Sequence, residues 1–325
     1  MSILYTNAII SVRSGKVLTL DRVRRMIVAP DAPSSAKILF ECGYDELLLT
    51  EKPDREDLII AAEMKRTVET LKELCPSPLL LDILLSKFDY HNAAAVYNHM
   101  RSDTDIKNLP TDSIYPFGLV GFEKVKNAVA KRDYAVLPEP MREALLGFNK
   151  DNPSAFGVEL GLVRAMYADI LPKVRKLGNS GIKEYFRVEV DFANMLSFAK
   201  MRLYGKMEKS PFIEGGKATE SQVNSIMSKN PGAVKAGFAS LPYSDVTYAL
   251  AEGLESLDLA PFERASANYL IGQSKKGSDD SFSLNPLFSW WVEKWEELRT
   301  VKTILVGKKL GMTREELFAE LGLGK

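Results

Sequence analysis

Residues 79–100 read LLLDILLSKFDYHNAAAVYNHM, and this stretch decides the fold class. Its apolar residues recur at intervals of three and four, which is the period of one face of an α-helix. The positions on that face are Leu81, Leu84, Phe88, Asn92, Ala95 and His99. The spacing predicts a helix of about five turns. Pro76 and Pro78 separate it from the preceding segment, because proline breaks a helix that runs into it.

The helical period continues on both sides of this stretch. Between Asp57 and Cys75 the apolar stripe consists of Ala61, Met64, Val68, Leu71 and Cys75. After Asn285-Pro286, a typical helix start, a second stripe consists of Leu287, Trp291, Trp295, Leu298, Val301 and Leu305. Two capping boxes, Thr219 with Gln222 and Thr313 with Glu316, predict further helix starts. These patterns indicate an all-α protein.

Residues 4–20 are the one stretch with a strand-like composition. Ile9, Ile10, Val12, Val17 and Leu18 are β-branched or apolar, and Gly15 predicts a turn among them. We interpret the stretch as a short hairpin-like segment. One such segment does not make a sheet domain, so the prediction of an all-α chain is unchanged.

The composition is that of an ordinary globular protein, with 325 residues of which 46% are hydrophobic and 26% charged. Lys and Arg number 43, as do Asp and Glu, so net charge supplies no attraction to nucleic acid. The only cysteines, Cys42 and Cys75, can form at most one disulfide, which favours a reducing compartment. No apolar run reaches the ~18 residues of a membrane span, and residues 1–10 lack the features of a secretion signal. We expect a cytoplasmic protein.

An internal repeat is visible around two short motifs. Phe88-Asp89-Tyr90-His91-Asn92 and Val190-Asp191-Phe192-Ala193-Asn194 share an apolar residue, an Asp, an aromatic residue and an Asn. The two motifs lie 102 residues apart. The same offset relates Arg22-Val23-Arg24 to Lys124-Val125-Lys126. Two separate landmarks therefore agree on one period, although chance similarity between amphipathic helices is an alternative explanation.

A third copy is weaker. Glu296 and Arg299 match Asp191 and Asn194 at an offset of 105, and Gly311 lies near the position that matches Gly205. The repeat predicts three helical units, residues 1–107, 108–210 and 211–325. Its landmarks, which we interpret as structural or interface residues, are Asp89, Asn92, Asp191, Asn194, Glu296, Arg299 and Gly311.

The landmark pairs have two explanations. Residues three apart are neighbours on a helix surface, and such a local pair contributes only about 0.2 to 0.5 kcal/mol. Asn92, however, lies on the apolar face of its helix. A polar side chain there is expected to hydrogen-bond buried backbone groups at a helix junction.

The residue patterns of common cofactor and metal sites are absent from the sequence. Gly15-Lys16 and Gly215-Gly216-Lys217-Ala218 lack the spacing of a phosphate-binding loop, and no dinucleotide-binding glycine pattern follows a strand. His91 and His99 lack the glutamate three residues earlier that a di-iron helical bundle requires. We expect no catalytic residues, no cofactor and no metal ligands, with His99 a hydrogen-bonded core residue.

Two weaker possibilities for chemistry and ligand binding stay open. The best carboxylates for an all-α enzyme are Glu184, Glu189 and Asp191, which would have to converge in one deep pocket. Trp290, Trp291 and Trp295 suit a ligand-stacking box, but tryptophan at helical spacing is more often part of a core. Asp279-Asp280 is expected to lie in a solvated loop.

Residues from both ends of the chain carry a family resemblance. The C-terminal pattern includes Trp291, Glu296, Arg299, Gly311 and Thr313-Arg314-Glu315-Glu316. The N-terminal pattern runs from Tyr5-Thr6-Asn7-Ala8 into Val12-Arg13-Ser14-Gly15, and the Asp89 motif lies between them. Together they resemble the C subunit of prokaryotic V/A-type ATPases, the relative of the d subunit of the eukaryotic vacuolar ATPase. Ala93-Ala94 and the Trp290-Trp291 pair depart from the family pattern.

The resemblance implies a fold and a role. The fold is three pseudo-equivalent helical units arranged as a funnel around a central cavity. The role is that of a non-catalytic central-stalk subunit, a socket that couples the central shaft to the membrane proteolipid ring for ATP-linked H⁺ or Na⁺ transport. It implies a peripheral position at the cytoplasmic face of the membrane, with no small-molecule substrate. A helical-repeat adaptor unrelated to rotary ATPases is the alternative that the repeat alone would equally support.

Overall fold

The computed structural model describes residues 2–102, 105–110, 114–205, 210–227 and 230–323. These residues form sixteen α-helices, a few short 3₁₀ turns and no β-strand. The predicted all-α fold class is therefore confirmed for the described chain. Contacts within the chain group it into two compact units, which we call the terminal unit, Met1–Pro76 with Ala260–Lys325, and the central unit, Ser77–Leu259. The division into three repeat units stays a prediction.

The terminal unit contains eight of these helices. They are α1 (Ile3–Ser14), α2 (Leu20–Val28), α3 (Ala32–Lys37), α4 (Glu46–Glu51), α5 (Glu56–Leu74), α14 (Ala260–Ser274), α15 (Asn285–Lys309) and α16 (Arg314–Glu320). Helix α15 packs against α1, α3, α5 and α14 and forms the centre of the unit. Its buried residues Val301, Ile304 and Leu305 share a core with Met26 and Leu49.

The central unit contains the other eight. They are α6 (Pro78–Arg101), α7 (Phe122–Lys131), α8 (Glu139–Asp151), α9 (Ala155–Leu177), α10 (Ser180–Tyr204), α11 (Glu220–Asn224), α12 (Pro231–Gly237) and α13 (Ser244–Ser256). Helix α6 packs along α9 and α7, and α10 packs against α9, α11 and α13. The two long helices that carry the Asp motifs, α6 and α10, therefore both lie inside this unit.

Burial on α6 is wider than its sequence pattern predicts. Leu84, Phe88 and Asn92 are buried as expected, whereas Leu81 and His99 at the ends of the predicted stripe are only partly buried. Buried residues outside the stripe include Ile83, Leu85, Tyr90, Ala93 and Val96. The prediction of a single narrow stripe was wrong, because α6 packs against neighbours on more than one side.

The helix boundaries follow their sequence signals. Both predicted capping boxes are confirmed, Thr219 with Gln222 at α11 and Thr313 with Glu316 at α16. Gly311 has a φ of +81°, a left-handed conformation that glycine adopts without strain, and it follows the end of α15. The hairpin-like interpretation of residues 4–20 was wrong. Residues 3–14 form α1 instead, capped by the Ser2 hydroxyl and ending before Gly15.

Helix α1 is held in place by a polar side chain rather than by a wide apolar face. Asn7 is buried, and its Nδ2 donates hydrogen bonds to the carbonyl oxygens of Ser281 and Ser283, at 2.8 and 2.9 Å. These carbonyls belong to a segment that follows Asn7 by more than 270 residues in sequence. A local hydrophobic pattern carries no information on such a contact, so the sequence alone left this helix ambiguous.

Candidate functional site

The first landmark pair, Asp89 and Asn92 on α6, binds the segment that precedes α7. Asp89 Oδ2 accepts from the backbone N–H groups of Leu119 and Val120, at 2.7 and 2.8 Å, and Oδ1 accepts from that of Gly121 at 3.0 Å. Gly121 is the N-cap of α7 and has no side chain with which to cap it. Asp89 therefore supplies, from another helix, the negative charge that a helix N-terminus favours.

Asn92 holds the same segment one turn further along α6. Its Nδ2 donates to the carbonyl oxygen of Tyr115 and its Oδ1 accepts from the Tyr115 N–H, both at 2.8 Å. Asp89 and Asn92 are 1% and 0% exposed. We call this pair and the backbone that it binds the first clamp. Asn92 thus binds both backbone groups of Tyr115 in the connection between α6 and α7, and its role as a repeat landmark stays a prediction.

An equivalent arrangement, the second clamp, lies on α10. Asp191 accepts from the N–H groups of Lys217 and Ala218, each at 2.9 Å, and Asn194 exchanges two hydrogen bonds with the backbone of Ile213, at 2.8 and 2.9 Å. Both side chains are fully buried. Ala218 directly precedes Thr219, the N-cap of α11. Each Asp therefore binds the N-terminal end of a short helix, and each Asn binds a residue four positions before the first amide that the Asp binds.

The second clamp has one further donor, because the Tyr243 hydroxyl donates to Asp191 Oδ2. Burial raises the pKa of the Asp191 carboxyl above its ordinary value. Hydrogen bonds from Tyr243 and from the backbone of Ala218 and Lys217 partly offset that rise. The carboxylate is fully occupied by donors that hold structure together.

A glycine lies against the carboxylate in each clamp. A Cβ atom added at Gly118 would collide with Asp89 Oδ1, and one added at Gly216 would collide with Asp191 Oδ1. Glycine is required at both positions because the backbone approaches the carboxylate too closely for a side chain. A glycine shortly before a helix start, together with Asp-x-x-Asn on a preceding helix, is the sequence signal for this arrangement.

Two residues at the repeat spacing are in direct contact. Lys87 Nζ lies 2.8 Å from both carboxylate oxygens of Glu189, and these positions are 102 residues apart. The ammonium also lies 4.8 Å from the centre of the Phe186 ring. The phenol of Tyr167 is buried beside Glu189, and both burial and that charge raise its pKa well above the ordinary value. Residues at matching positions of the repeat thus join α6 to α10.

The third landmark pair is placed differently. Arg299 Nη2 lies 2.8 Å from Glu296 Oε1, and the two side chains are 50% and 27% exposed. The neighbouring Glu297 is buried, and its Oε2 accepts from the backbone N–H of Leu18 at 2.8 Å. Leu18 directly precedes Thr19, the N-cap of α2. Glu297, which the sequence pattern missed by one residue, thus makes the kind of contact that Asp89 and Asp191 make.

Glu297 belongs to a buried ion cluster in the terminal unit. Lys294 Nζ lies 2.7 Å from Glu63 Oε1 and 2.6 Å from Glu297 Oε1, and the Tyr44 hydroxyl donates to Glu297 at 2.9 Å. All four side chains are buried. Burial, followed by the nearby Glu297 and Glu63, raises the pKa of the Tyr44 hydroxyl well above its ordinary value. Lys294 therefore bridges a carboxylate on α5 and one on its own helix α15, and Arg66 supplies a second cation to Glu63.

The carboxylates considered for an enzyme are engaged in other contacts. Glu184 pairs with Lys217, Glu189 with Lys87, and Asp191 with the backbone of the second clamp. His99 Nε2 lies 2.9 Å from the carbonyl oxygen of Asp105, while His91 is exposed. Among the described residues no group of three or more His, Cys, Asp or Glu side chains is placed to hold a metal ion.

The three tryptophans do not form one stacking box, because Trp291 and Trp295 pack against each other while Trp290 lines a cavity in the terminal unit. Trp290 and Trp291 are buried, and the ring centres of Trp291 and Trp295 lie 5.4 Å apart in an edge-to-face arrangement. Within the described ranges, none of the helices combines the length and the apolar character that a membrane crossing requires. The polar groups described above, in the two clamps and the buried ion cluster, hold neighbouring segments of the fold together.

Comparison with known proteins adds independent information. The sequence matches the family model "ATP synthase (C/AC39) subunit" over residues 6–319. It is 23% identical over 303 residues to the C subunit of the V-type ATP synthase of Thermus thermophilus, and the match covers 91% of both chains. It is 24% identical over 254 residues to the C subunit of the A-type ATP synthase of Halorubrum lacusprofundi, covering 73% of this chain and 72% of that protein.

Proposed function

Since the chain belongs to the ATP synthase (C/AC39) subunit family, the C subunit of V/A-type ATP synthases that is homologous to the d subunit of the vacuolar ATPase, we propose that it is a non-catalytic rotor subunit. In this role it is a socket in the central stalk, joining the central shaft to the membrane proteolipid ring during ATP-linked H⁺ or Na⁺ transport. The match over residues 6–319 is the observation that carries the proposal. No comparable support exists for an unrelated helical-repeat adaptor.

The physical character of the chain suits a mechanical part. A subunit that transmits torque has to resist shear, and close-packed interiors with few voids are stiff. The clamps add hydrogen bonds between elements. In the first clamp, Asp89 and Asn92 together make five hydrogen bonds to the segment before α7. Such bonds are directional, so sliding one element past another breaks several of them together.

The proposed partners are the central-shaft subunits and the proteolipid ring. The chain would lie at the cytoplasmic face of the membrane, held there by its partners. Balanced charge, with 43 basic and 43 acidic side chains, suits polar contacts that form and dissociate rather than one permanent apolar interface. Nucleic acid and small-molecule substrates have no part in this role.

Removal of this chain from the assembled machine tests the coupling role. The complex lacking it is expected to hydrolyse ATP in its soluble part while ATP-driven ion transport into vesicles is lost. Adding the purified chain back should restore transport. An unchanged rate of transport without the chain, or its failure to co-purify with the shaft subunits and the ring, would overturn the proposal.

The isolated chain provides a second test, of its non-catalytic character. A rotor socket makes and breaks no covalent bond, so the purified protein is expected to release no phosphate from ATP. A phosphate-release assay with and without Mg²⁺ measures this directly. Turnover that persists through repeated purification and disappears when Glu184 or Glu189 is replaced by Gln would favour the enzyme hypothesis.

A further inference from the structure

A cavity of about 330 Å³ lies in the terminal unit beside the buried ion cluster. It is bounded by the last turn of α1 and the residues after it, by α5 and by α15. Four cationic side chains line it, Arg13, Lys16, Arg66 and Lys294, against the single carboxylate of Glu63. The proposed rotor function assigns no role to this cavity.

Two of the four cations are neutralised by carboxylates. Lys294 is shared between Glu63 and Glu297, at 2.7 and 2.6 Å, and Glu297 reaches it from outside the cavity wall. Arg66 lies 2.5 Å from the second oxygen of Glu63 and also donates to the Gly43 carbonyl oxygen. Two cations and two carboxylates therefore balance one another here.

The other two cations have no such balance. Arg13 Nη1 donates to the neutral hydroxyl of Thr70 at 2.9 Å, a hydrogen bond that leaves the charge of the guanidinium unneutralised. Neither Arg13 nor Lys16 forms an ion pair with any carboxylate of the described residues. The cavity consequently carries an excess of about two positive charges near partly buried surface, which favours an anion.

The other ionisable group in the wall, the Cys42 thiol, does not cancel this excess. Burial and the nearby Glu297 raise the pKa of the Cys42 thiol to about 11, so at neutral pH the thiol carries no negative charge. Thr70 of α5 also lines the cavity, and its hydroxyl, which accepts from Arg13, carries a proton that it can donate. The donors thus include a planar guanidinium, an ammonium and a hydroxyl.

We propose that this cavity is a binding site for a small phosphate-type oxyanion, held by Arg13 and Lys16. Guanidinium forks pair with such oxyanions through two parallel hydrogen bonds, and an ammonium adds a second positive charge from another direction. The anion's charge matches the excess of the wall. The same chemistry is offered by free inorganic phosphate and by a phospholipid headgroup.

Titration calorimetry of the full chain with inorganic phosphate tests the site, with chloride added to hold ionic strength constant. The expected result is saturable binding of one phosphate per chain. A parallel arm measures sedimentation with vesicles of phosphatidylglycerol against vesicles of phosphatidylcholine. Binding of free phosphate identifies the free anion as the ligand. Binding to phosphatidylglycerol vesicles alone identifies the headgroup.

Two variants and one control establish where the anion binds. Lys16→Gln removes an exposed charge that pairs with no carboxylate of the described residues, and it is expected to weaken binding about tenfold or more in whichever arm is positive. Arg13→Gln should do the same. Lys72→Gln removes an exposed charge on α5 outside the cavity and should leave the affinity within about twofold.

Three outcomes decide the matter. Loss of binding in Lys16→Gln and Arg13→Gln with retention in Lys72→Gln supports the site. Equal weakening in all three variants would show a general effect of net charge, and absence of saturable binding in both arms would show that the cavity takes no such anion. Either of these would overturn the proposal. Circular dichroism of each variant confirms that the helices are intact.

Discussion

The clamps of the central unit and the ion cluster of the terminal unit solve one structural problem in two ways. In the clamps, the buried carboxylates of Asp89 and Asp191 receive backbone N–H groups at the N-terminal ends of α7 and α11. In the cluster, Glu297 receives the Leu18 N–H before α2 but also needs Lys294 as a counter-ion. The clamp carboxylates are thus stabilised by hydrogen-bond donors, whereas the Glu297 carboxylate is stabilised by a donor and by the positive charge of Lys294.

This difference between several donors and one shared cation indicates where the stability of the structure depends on a single side chain. A carboxylate that accepts several backbone N–H groups loses only part of its stabilisation when one donor moves. A buried lysine that pairs with two carboxylates is harder to replace. Without Lys294, the buried Glu297 has no cation partner among the described residues, and Glu63 keeps only Arg66. We therefore expect the terminal unit to be the more fragile of the two toward a single substitution.

The largest effect is expected from Lys294→Met. The change keeps most of the side-chain volume but leaves the buried Glu297 without its cation and Glu63 with Arg66 alone, which should cost about 3 to 5 kcal/mol in the free energy of unfolding. Urea denaturation followed by circular dichroism measures it. Lys302→Met, at an exposed position of α15, is the matched control and should be near neutral. Equal denaturation midpoints for the two variants would contradict the expectation that the terminal unit depends on this one buried lysine.

A somewhat smaller loss is expected from Asp89→Ala. The N–H groups of Leu119, Val120 and Gly121 would lose their acceptor, with a cost of about 2 to 3 kcal/mol. Hydrogen exchange should become faster at these three amides in particular. Asp82→Ala, a partly buried position on the same helix, is the control. Unchanged exchange at residues 119–121 would show that Asp89 does not hold this segment.

Gly216→Ala tests the second clamp by crowding it. The new methyl group would press on the Asp191 carboxylate, so we expect a loss of about 1 to 3 kcal/mol from overpacking. Gly147→Ala, in the interior of α8 with open space around it, should instead stabilise by about 0.5 to 1 kcal/mol. Opposite shifts in melting temperature are the expected result, and shifts of the same sign would contradict the close approach at Gly216.

The smallest effect is expected from Glu296→Gln. Its ion pair with Arg299 is partly exposed, and such pairs contribute less than about 1 kcal/mol. Glu297→Gln, one residue further on, removes a buried charge that Lys294, Tyr44 and Leu18 all contact, and should cost clearly more. Comparable losses for the two variants would mean that Glu296 has a structural role that its exposure does not indicate.

Much of this molecule was predictable from local sequence patterns. The helices around residues 57–75, 79–100 and 285–309 and both capping boxes were correctly predicted, because periodicity and capping involve residues within a few positions of one another. The resemblance to the C subunits of V/A-type ATPases is confirmed by the family match. The funnel arrangement and the three-unit division stay predictions.

What could not be predicted involves partners distant in sequence. Glu63, Lys294 and Glu297 are charged residues that the helical period did not single out, yet all three are buried. Lys294 joins Glu297 on its own helix to Glu63 on α5, and Glu297 accepts from a backbone amide 279 residues away. An argument from helical periodicity places charged side chains on the solvent face. It therefore cannot identify a buried charge that is stabilised by a partner distant in sequence.

The amino-acid order by itself determined three long helices, two capping boxes and the family, since each of these depends on neighbours along the chain or on ordered motifs. The tertiary structure alone decided that Asp89 and Asp191 close clamps, that Glu297 rather than Glu296 makes the corresponding contact with α2, and that Arg13 and Lys16 share a cavity. The physical reason is that a buried polar group is stable only with a partner in place, and only packing brings such partners together.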